Sequence, residues 1–168
     1  MFGDHPPRPR LTLNVGITGH RIARLAPELV PQVGPAVGEV FGALQAAVQR
    51  LHRAESAIFV PEPPVLRLHT PLATGADQLA ATAAREAGFR VRALLPFAAG
   101  AYCEDFAEGL ERAEFERQLA ASEAVFALPG ERDGGDDAYV MVGKAIIAAA
   151  DVLVAVWDGH EEGGPGGT

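Results

Sequence analysis

The sequence has little of what marks secreted, membrane-spanning or disulfide-stabilised proteins. Its 168 residues include one cysteine, Cys103, so no intrachain disulfide can form, which favours a reducing cytoplasm over an oxidising compartment. The first ten residues contain three prolines and no apolar core of a signal peptide. No apolar run reaches the length of a membrane span. We therefore expect a cytoplasmic protein in which Cys103 is a half-buried small side chain rather than a nucleophile.

Basic residues are also scarce. The chain has 14 Lys and Arg against 22 Asp and Glu, which gives a formal net charge of −8. A nucleic-acid binder needs a basic surface that neutralises phosphates, so DNA or RNA is not expected as the main partner. A local basic site stays open, because arginines flank the first predicted strand at Arg8, Arg10, Arg21 and Arg24.

The apolar residues that are present follow an alternating pattern. Hydrophobic residues make up 48% of the chain, as in globular proteins, and the length is that of one domain. Short β-branched or leucine-rich runs alternate with alanine-rich segments of helical period, a pattern that predicts βαβ units. We expect a single α/β domain, a Rossmann-like three-layer sandwich with a mostly parallel sheet of about five strands, at 11–18, 65–70, 90–95, 124–128 and 151–157. The last run is nearly continuously apolar, which predicts a central strand that is buried on both sides.

Four helices are predicted between these strands, at 35–53, from near 75–77 to 88, at 104–122 and at 138–150. Gly88 is expected to end the second helix as its C-cap. In the third helix, the period predicts that Phe106, Leu110, Ala113 and Leu119 face inward, while its glutamates form a solvated face. Residues 1–10 are expected to be a flexible N-terminus, and residues 159–168 a glycine-rich tail that resembles a phosphate loop.

The chemistry is expected at one edge of the sheet. In open α/β sheets, ligands bind outside the carboxyl ends of the strands, where helix N-termini attract anions. Glycines, polar side chains and aromatic rings follow four of the predicted strands, and more glycines lie in the tail, in the segments 16–21, 74–77, 96–97, 157–159 and 163–168. Each feature also has a structural interpretation: the glycines as turn residues, Asp77 as a carboxylate in the first helical turn, and Trp157 as a pocket wall.

Several cofactor signatures are missing from these loops. The spacing is neither GxGxxG nor GxxxxGK[ST], so neither a nicotinamide fingerprint nor a Walker loop is supported. The histidines at positions 5, 52, 69 and 160 lack the spacing of metal ligands. We therefore predict no cofactor and no metal.

Taken together in this order, the segments resemble the SLOG superfamily, the Rossmann-like group that contains the Lonely Guy phosphoribohydrolases and the DNA-processing protein DprA. The resemblance is to its uncharacterised bacterial branch, and it rests on VGITGHR at 15–21, LATGAD at 72–77, LPF at 95–97, YCEDF at 102–106, AVWDG at 155–159 and GGT at 166–168. It implies a pocket for a nucleotide-type small molecule, with the glycine-threonine segment at the phosphate. Dimers are typical of the hydrolase branch, so the resemblance also implies a homodimer.

The sequence departs from that branch at its end. The hydrolases carry PGGxGTxxE, in which the glutamate works with an arginine on the N-glycosidic bond, whereas this chain ends at Thr168 and has no position for the glutamate. We therefore expect either that the chain is a fragment or that a partner subunit completes the edge of the sheet.

Two functions stay open. In a nucleotide-processing hydrolase that cleaves an N-glycosidic or phosphoribosyl bond, Arg21 would stabilise phosphate or developing charge, and Asp77 or Asp158 would position the sugar or act as base. In a non-catalytic sensor, the ligand would be read out through protein association. Binding of single-stranded DNA, as in DprA, is disfavoured by charge. The candidate catalytic residues are Arg21, Asp77 and Asp158, and the candidate ligand-binding residues are Gly16, Thr18, Gly19, His20, Thr74, Gly75, Pro96, Phe97, Tyr102, Trp157, Gly159, Gly166, Gly167 and Thr168.

Overall fold

Five parallel strands form the central layer of the computed structural model, which describes residues 6–21 and 27–157. Their order across the sheet is β4-β3-β2-β1-β5, and every neighbouring pair is parallel. The strands are β1 (Thr12–Gly19), β2 (Val65–Thr70), β3 (Arg90–Leu95), β4 (Ala124–Ala127) and β5 (Val152–Val156). The predicted α/β fold with a parallel sheet is confirmed.

Helices cover both faces of this sheet, so the three-layer arrangement is also confirmed. One face packs on three helices through a large apolar core that includes Ile17, Leu68, Phe41, Ala80 and Phe115. The opposite face packs on one helix through a smaller cluster, namely Leu94, Val142 and Ile146. The helices of the first face are α1 (Val30–Ala54), α2 (Ala76–Glu86) and α4 (Leu110–Ala120); α5 (Asp137–Ala149) covers the second; the five-residue α3 (Ala99–Cys103) follows β3.

None of the helices within the described ranges has both the length and the apolar character that crossing a bilayer requires. Gly88 follows α2 with φ +79°, as its predicted C-cap role demands. Helix α1 begins five residues earlier than predicted and contains Pro35. Val40 and Leu51, which recur at helical spacing with the buried Val37, Phe41 and Val48, are more than two fifths exposed.

The prediction that the last strand is central is wrong for the described sheet. Strand β5 pairs only with β1 there, and it forms one edge of the sheet. Leu153 is 45% exposed. An apolar run predicts that the side chains of a strand are buried. The position of that strand in the sheet depends instead on the crossover connections between strands. These connections place β2 at the centre of the sheet, between β3 and β1.

The predicted third helix is wrong as a single element. Within the predicted range only α4 is helical: residues 104–109 form turns, and Gly109, with φ +92°, directly precedes the helix. The new helix starts with a different phase. Leu110 is therefore 90% exposed and Ala113 is exposed, although both were predicted to face inward, whereas Phe115 and Gln118 are buried.

Gln118 is buried on the same side of α4 as Phe115. Because it is polar, a pattern of apolar residues does not predict its burial. Its amide nitrogen donates to the Thr82 hydroxyl at 3.0 Å and to Glu114 Oε1 at 2.8 Å. Its side-chain oxygen accepts a hydrogen bond from Arg85. These bonds offset the cost of burying the amide, and they join α2 to α4.

Candidate functional site

The parallel sheet brings most of the predicted site segments to one edge. Strands β1, β2, β3 and β5 end at Gly19, Thr70, Leu95 and Val156, all on the same side of the molecule. The residues that follow these ends are Thr18–Arg21 from the first loop, Thr74 to Asp77 from the second, Pro96 and Phe97 from the third and Trp157 from the last. Asp158, Gly159, Gly166, Gly167 and Thr168 lie outside the described residues.

Gly19 lies at a close contact between three elements. A Cβ at this position would be 2.5 Å from the Cβ of Ala76 and 3.0 Å from the Cβ of Val156, so a larger residue would force α2 or β5 to move. Next to it, the carbonyl of His20 accepts a hydrogen bond from the N–H of Ala76 at 3.2 Å. Both features hold the loop after β1 against the first turn of α2.

Gly16 has a different position. It lies inside β1, and a Cβ there would be 2.8 Å from Ile146 Cγ2 and 3.2 Å from the Cβ of Ala150. Its close contact is therefore with α5, on the face of the sheet opposite to α2. The geometry assigns Gly16 a packing position, whereas Gly19 belongs to the loop at the edge.

The loop between β2 and α2 has unusual backbone geometry. Leu72 is fully buried with φ +60°, a region that branched side chains rarely adopt. Its N–H donates to Thr70 Oγ1 at 3.1 Å, and its carbonyl accepts from Gln78 Nε2 at 3.2 Å. Gly75 has φ +96° and directly precedes α2. The positive φ explains why glycine is found there.

Asp77 lies in the first turn of α2 and is only 6% exposed. Its Oδ2 accepts a hydrogen bond from the N–H of Ala73 at 3.3 Å. Burial raises the pKa of Asp77 to about 7, against the opposing effects of that N–H and of the Arg21 guanidinium. A carboxylate that merely complements the helix dipole would stay exposed and ionised, so this environment sets Asp77 apart from the structural interpretation.

Aromatic rings of the core pack behind this edge of the sheet, where Phe97 and Tyr102 are each 1% exposed. Phe97 contacts Tyr102 and Tyr139 edge to face, with centroid distances of 5.7 and 5.8 Å. Tyr102 is buried, and burial followed by the nearby Asp77 raises its pKa above the usual range. The Tyr102 hydroxyl therefore stays protonated at neutral pH.

Arg21 is exposed and lies over one of these rings. Its Cζ is 6.0 Å from the centroid of Tyr139, within the range of a cation–π contact. The Tyr139 hydroxyl donates to Asp105 Oδ2 at 2.5 Å, and Arg132 Nε donates to Asp105 Oδ1 at 2.9 Å. Burial and the Asp105 hydrogen bond raise the pKa of Tyr139 to about 12.

Tyr139, Asp105 and Arg132 were not among the predicted site residues. Asp105 belongs to the YCEDF segment, which contributed to the family resemblance. Only Tyr102 was taken from that segment as a site residue. Glu104, interpreted from the sequence as part of a solvated helix face, accepts from Arg132 at 2.6 Å. The other two residues come from a loop and from α5, so no local sequence pattern connects them to Arg21.

A pocket of about 320 Å³ lies at the ends of β3 and β4. Its wall includes Pro96, Leu128 and Met141 together with the carboxylates of Glu131 and Asp137. Pro96, a predicted ligand-binding residue, thus faces a mainly apolar space. Trp157 directly follows β5 and is 60% exposed.

The described residues contain no group of three His, Cys, Asp or Glu side chains placed to hold a metal ion. Burial and the nearby Glu116 carboxylate raise the pKa of Cys103, which keeps it a thiol. A nucleophilic cysteine needs the opposite shift.

No family model and no curated protein sequence matches the chain. Among solved structures, the chain is similar to the X-ray structure of TM1055, a target of the Northeast Structural Genomics Consortium, at 14% identity and a TM-score of 0.48. The match covers 86% of this chain and 60% of that one. The resemblance to the SLOG superfamily stays a prediction.

Proposed function

We propose that the chain binds a nucleotide or nucleotide-derived ligand at the carboxyl edge of its sheet. The observation that carries the proposal is the proximity of the exposed Arg21 to the buried Asp77, whose pKa is about 7, at the start of α2. Perturbed carboxyl groups beside an arginine concentrate at functional sites, and this edge is where parallel sheets bind ligands. The fold alone would not support this statement.

The phosphate and the base of the ligand each have a candidate partner at this edge. The Arg21 guanidinium supplies planar donors for a phosphate group. Trp157, 60% exposed at the end of β5, offers an aromatic face on which a base can stack. Gly19 lets the loop after β1 approach α2 closely, which holds Arg21 near the first turn of that helix.

The same arrangement supports hydrolysis of an N-glycosidic bond. Water would attack the anomeric carbon and lose a proton to the Asp77 carboxylate, while the C–N bond breaks and the base leaves with the electron pair and takes up a proton. A carboxyl with a pKa near 7 suits this step, because both of its protonation states are populated at neutral pH.

Burial of Asp77 favours the alternative, a sensor that binds the nucleotide without chemistry. At 6% exposure the carboxyl is nearly closed to a ligand. The neighbouring carboxylate of Asp105 is already held by Tyr139 and Arg132. In this function Asp77 shapes the loop, and association with another protein carries the signal. The predicted homodimer is one form of such association.

Calorimetric titration with nucleoside monophosphates and ADP-ribose, followed by chromatography of the same mixtures, separates these functions. Saturable binding with release of free base supports the hydrolase, and binding without release supports the sensor. Arg21→Gln is expected to weaken binding at least about tenfold through loss of a charge-assisted contact. Arg117→Gln is the matched control, since Arg117 is exposed on α4 and paired with Glu114. Absence of binding by every nucleotide would refute both functions.

A further inference from the structure

Three arginines converge on one carboxylate at the opposite end of the sheet from Asp77. Glu123, just before β4, accepts from Arg92 Nε at 2.8 Å and from Arg90 at 2.9 Å. Arg67 Nε lies 3.4 Å from the same carboxylate. The three arginines are called the arginine cluster below. They come from β2 and β3, and their positions precede the strand ends that form the candidate site.

The arginine cluster lies on the α5 face of the sheet. Arg67 is paired in register with Arg90, and His69 with Arg92, so their side chains share one face. Leu68 and Val91, which alternate with them, belong to the core on the other face. Like charges directly opposite each other on neighbouring strands are destabilising, and Glu123 cancels one of the three.

The remaining charge is positive within an acidic protein. Hydrogen bonds from Arg92 and then Arg90 lower the pKa of Glu123 to about 2, so this carboxylate stays ionised. Three guanidinium groups and the Glu123 carboxylate leave a formal charge of +2, which the Asp151 carboxylate near His69 reduces to +1, in a chain whose total is −8. Arg67 and Arg92 are 23% and 27% exposed, so solvent reaches both side chains.

His69 adds a buried acceptor beside the arginine cluster. It is 6% exposed, and its Nε2 lies 3.3 Å from Asn14 Oδ1. The side-chain nitrogen of Asn14 donates to Asp151, which identifies the other amide atom as the oxygen Oδ1. Because Oδ1 can only accept, His69 Nε2 is the donor in the hydrogen bond between His69 and Asn14. His69 Nδ1 then carries a lone pair. Within the described residues, neither this atom nor Arg67 Nε makes a hydrogen bond, although both are buried.

An unpaired buried polar atom is costly, and His69 Nδ1 lies next to excess positive charge, while Arg67 Nε has only its 3.4 Å ion pair with Glu123. We propose that the arginine cluster and His69 bind a singly protonated phosphate group. The guanidinium groups contact its charged oxygens, and its hydroxyl donates to His69 Nδ1. Planar guanidinium donors match the geometry of phosphate oxygens, and the neutral imidazole supplies the acceptor that an arginine lacks. This site is separate from Arg21 and does not depend on the proposed function.

Thermal unfolding with inorganic phosphate, against chloride at constant ionic strength, tests the proposal. The melting temperature is expected to rise saturably in the wild type, in Arg21→Gln and in the control Arg117→Gln. Arg67→Gln and Arg92→Gln are expected to raise the phosphate concentration needed for half of the effect at least about tenfold. A parallel titration with glycerol 3-phosphate shows whether the site accepts a phosphate ester or only the free ion.

Two further measurements test the proposal even if Arg67→Gln or Arg92→Gln folds poorly. Arg90 is 57% exposed, so Arg90→Gln is expected to keep the fold and still weaken phosphate binding. In the wild type, the ring resonances of His69 should shift with the same midpoint as the melting temperature. The proposal is overturned if no saturable effect occurs. It is also overturned if Arg21→Gln removes the effect while the variants of the arginine cluster retain it.

Discussion

At the residue scale, burial of Asp77 couples folding to proton binding. The unfolded chain releases this proton near pH 4, whereas the folded chain holds it up to about pH 7. Between these values the folded state binds more protons, so the contribution of Asp77 to stability falls as the pH rises. The full contribution is present below pH 4 and is lost through pH 7.

Replacement of Asp77 by asparagine is expected to remove this dependence. A shift of about 3 pKa units corresponds to about 4 kcal/mol. Between pH 4 and pH 8, the unfolding free energy of Asp77→Asn should therefore rise by up to that amount relative to that of the wild type. Urea unfolding of both proteins across this range measures the difference. His69 and Glu123 titrate equally in both proteins, so the difference isolates Asp77. Parallel curves for the two proteins would contradict the assigned pKa.

The close contact at Gly19 gives a second residue-scale prediction. Gly19→Ala places a methyl group against Ala76 and Val156, and overpacking of this kind costs about 1–3 kcal/mol. Gly42→Ala is the matched control, because no atom lies within 4 Å of a Cβ built at that position in α1. Alanine there should stabilise the helix by about 0.5–1 kcal/mol. Chemical denaturation measures both changes, and equal effects of the two substitutions would refute the packing role of Gly19.

The sequence predicted the edge glycines and Asp77 as site residues because each stands in a short motif after a strand. It did not predict the burial of Asp77, which depends on packing around the loop after β2. Nor did it predict the link from Arg21 through Tyr139 and Asp105, since these residues are brought together from separate elements. Local patterns find residues of one loop, whereas contacts between loops depend on the fold.

At the element scale, the break at Gly109 determines which side of α4 is buried. Leu110 is 90% exposed, so Leu110→Ala is expected to change the unfolding free energy by less than about 0.5 kcal/mol. Phe115 is buried and stacks on Phe106 at a centroid distance of 4.3 Å, so Phe115→Ala should cost about 3–5 kcal/mol. Denaturant titration of the two variants compares them directly. A larger loss of unfolding free energy for Leu110→Ala than for Phe115→Ala would contradict this assignment of the buried side of α4.

The strands were predictable because β-branched and leucine-rich runs differ clearly from the alanine-rich helices. The predicted bounds of β2 and β3 agree with the structure. Strand β1 begins and ends one residue later than predicted, and β4 ends one residue earlier. The start of the helix predicted over 104–122 was wrong because residues 104–109 form turns, and the positive φ of Gly109 cannot be read from the sequence. The position of β5 was mispredicted because an apolar run contains no information on strand order.

At the scale of the whole molecule, positive charge occurs at two separate places despite the acidic composition. Arg21 lies at the carboxyl edge of the sheet, and the arginine cluster lies on the α5 face nearer the amino ends of β2 and β3. Net charge alone therefore does not show where local positive charge, and with it the two proposed anion sites, lies. The composition still disfavours nucleic acid as the main partner, and this stays a prediction.

The central claim is that a nucleotide-type ligand binds at the carboxyl edge beside Arg21. A crystal structure of the protein grown with a nucleoside monophosphate tests it most directly. We predict phosphate density within hydrogen-bond distance of the Arg21 guanidinium, next to Gly19 and the first turn of α2. A fully occupied ligand elsewhere, with this edge holding only solvent, would contradict the claim.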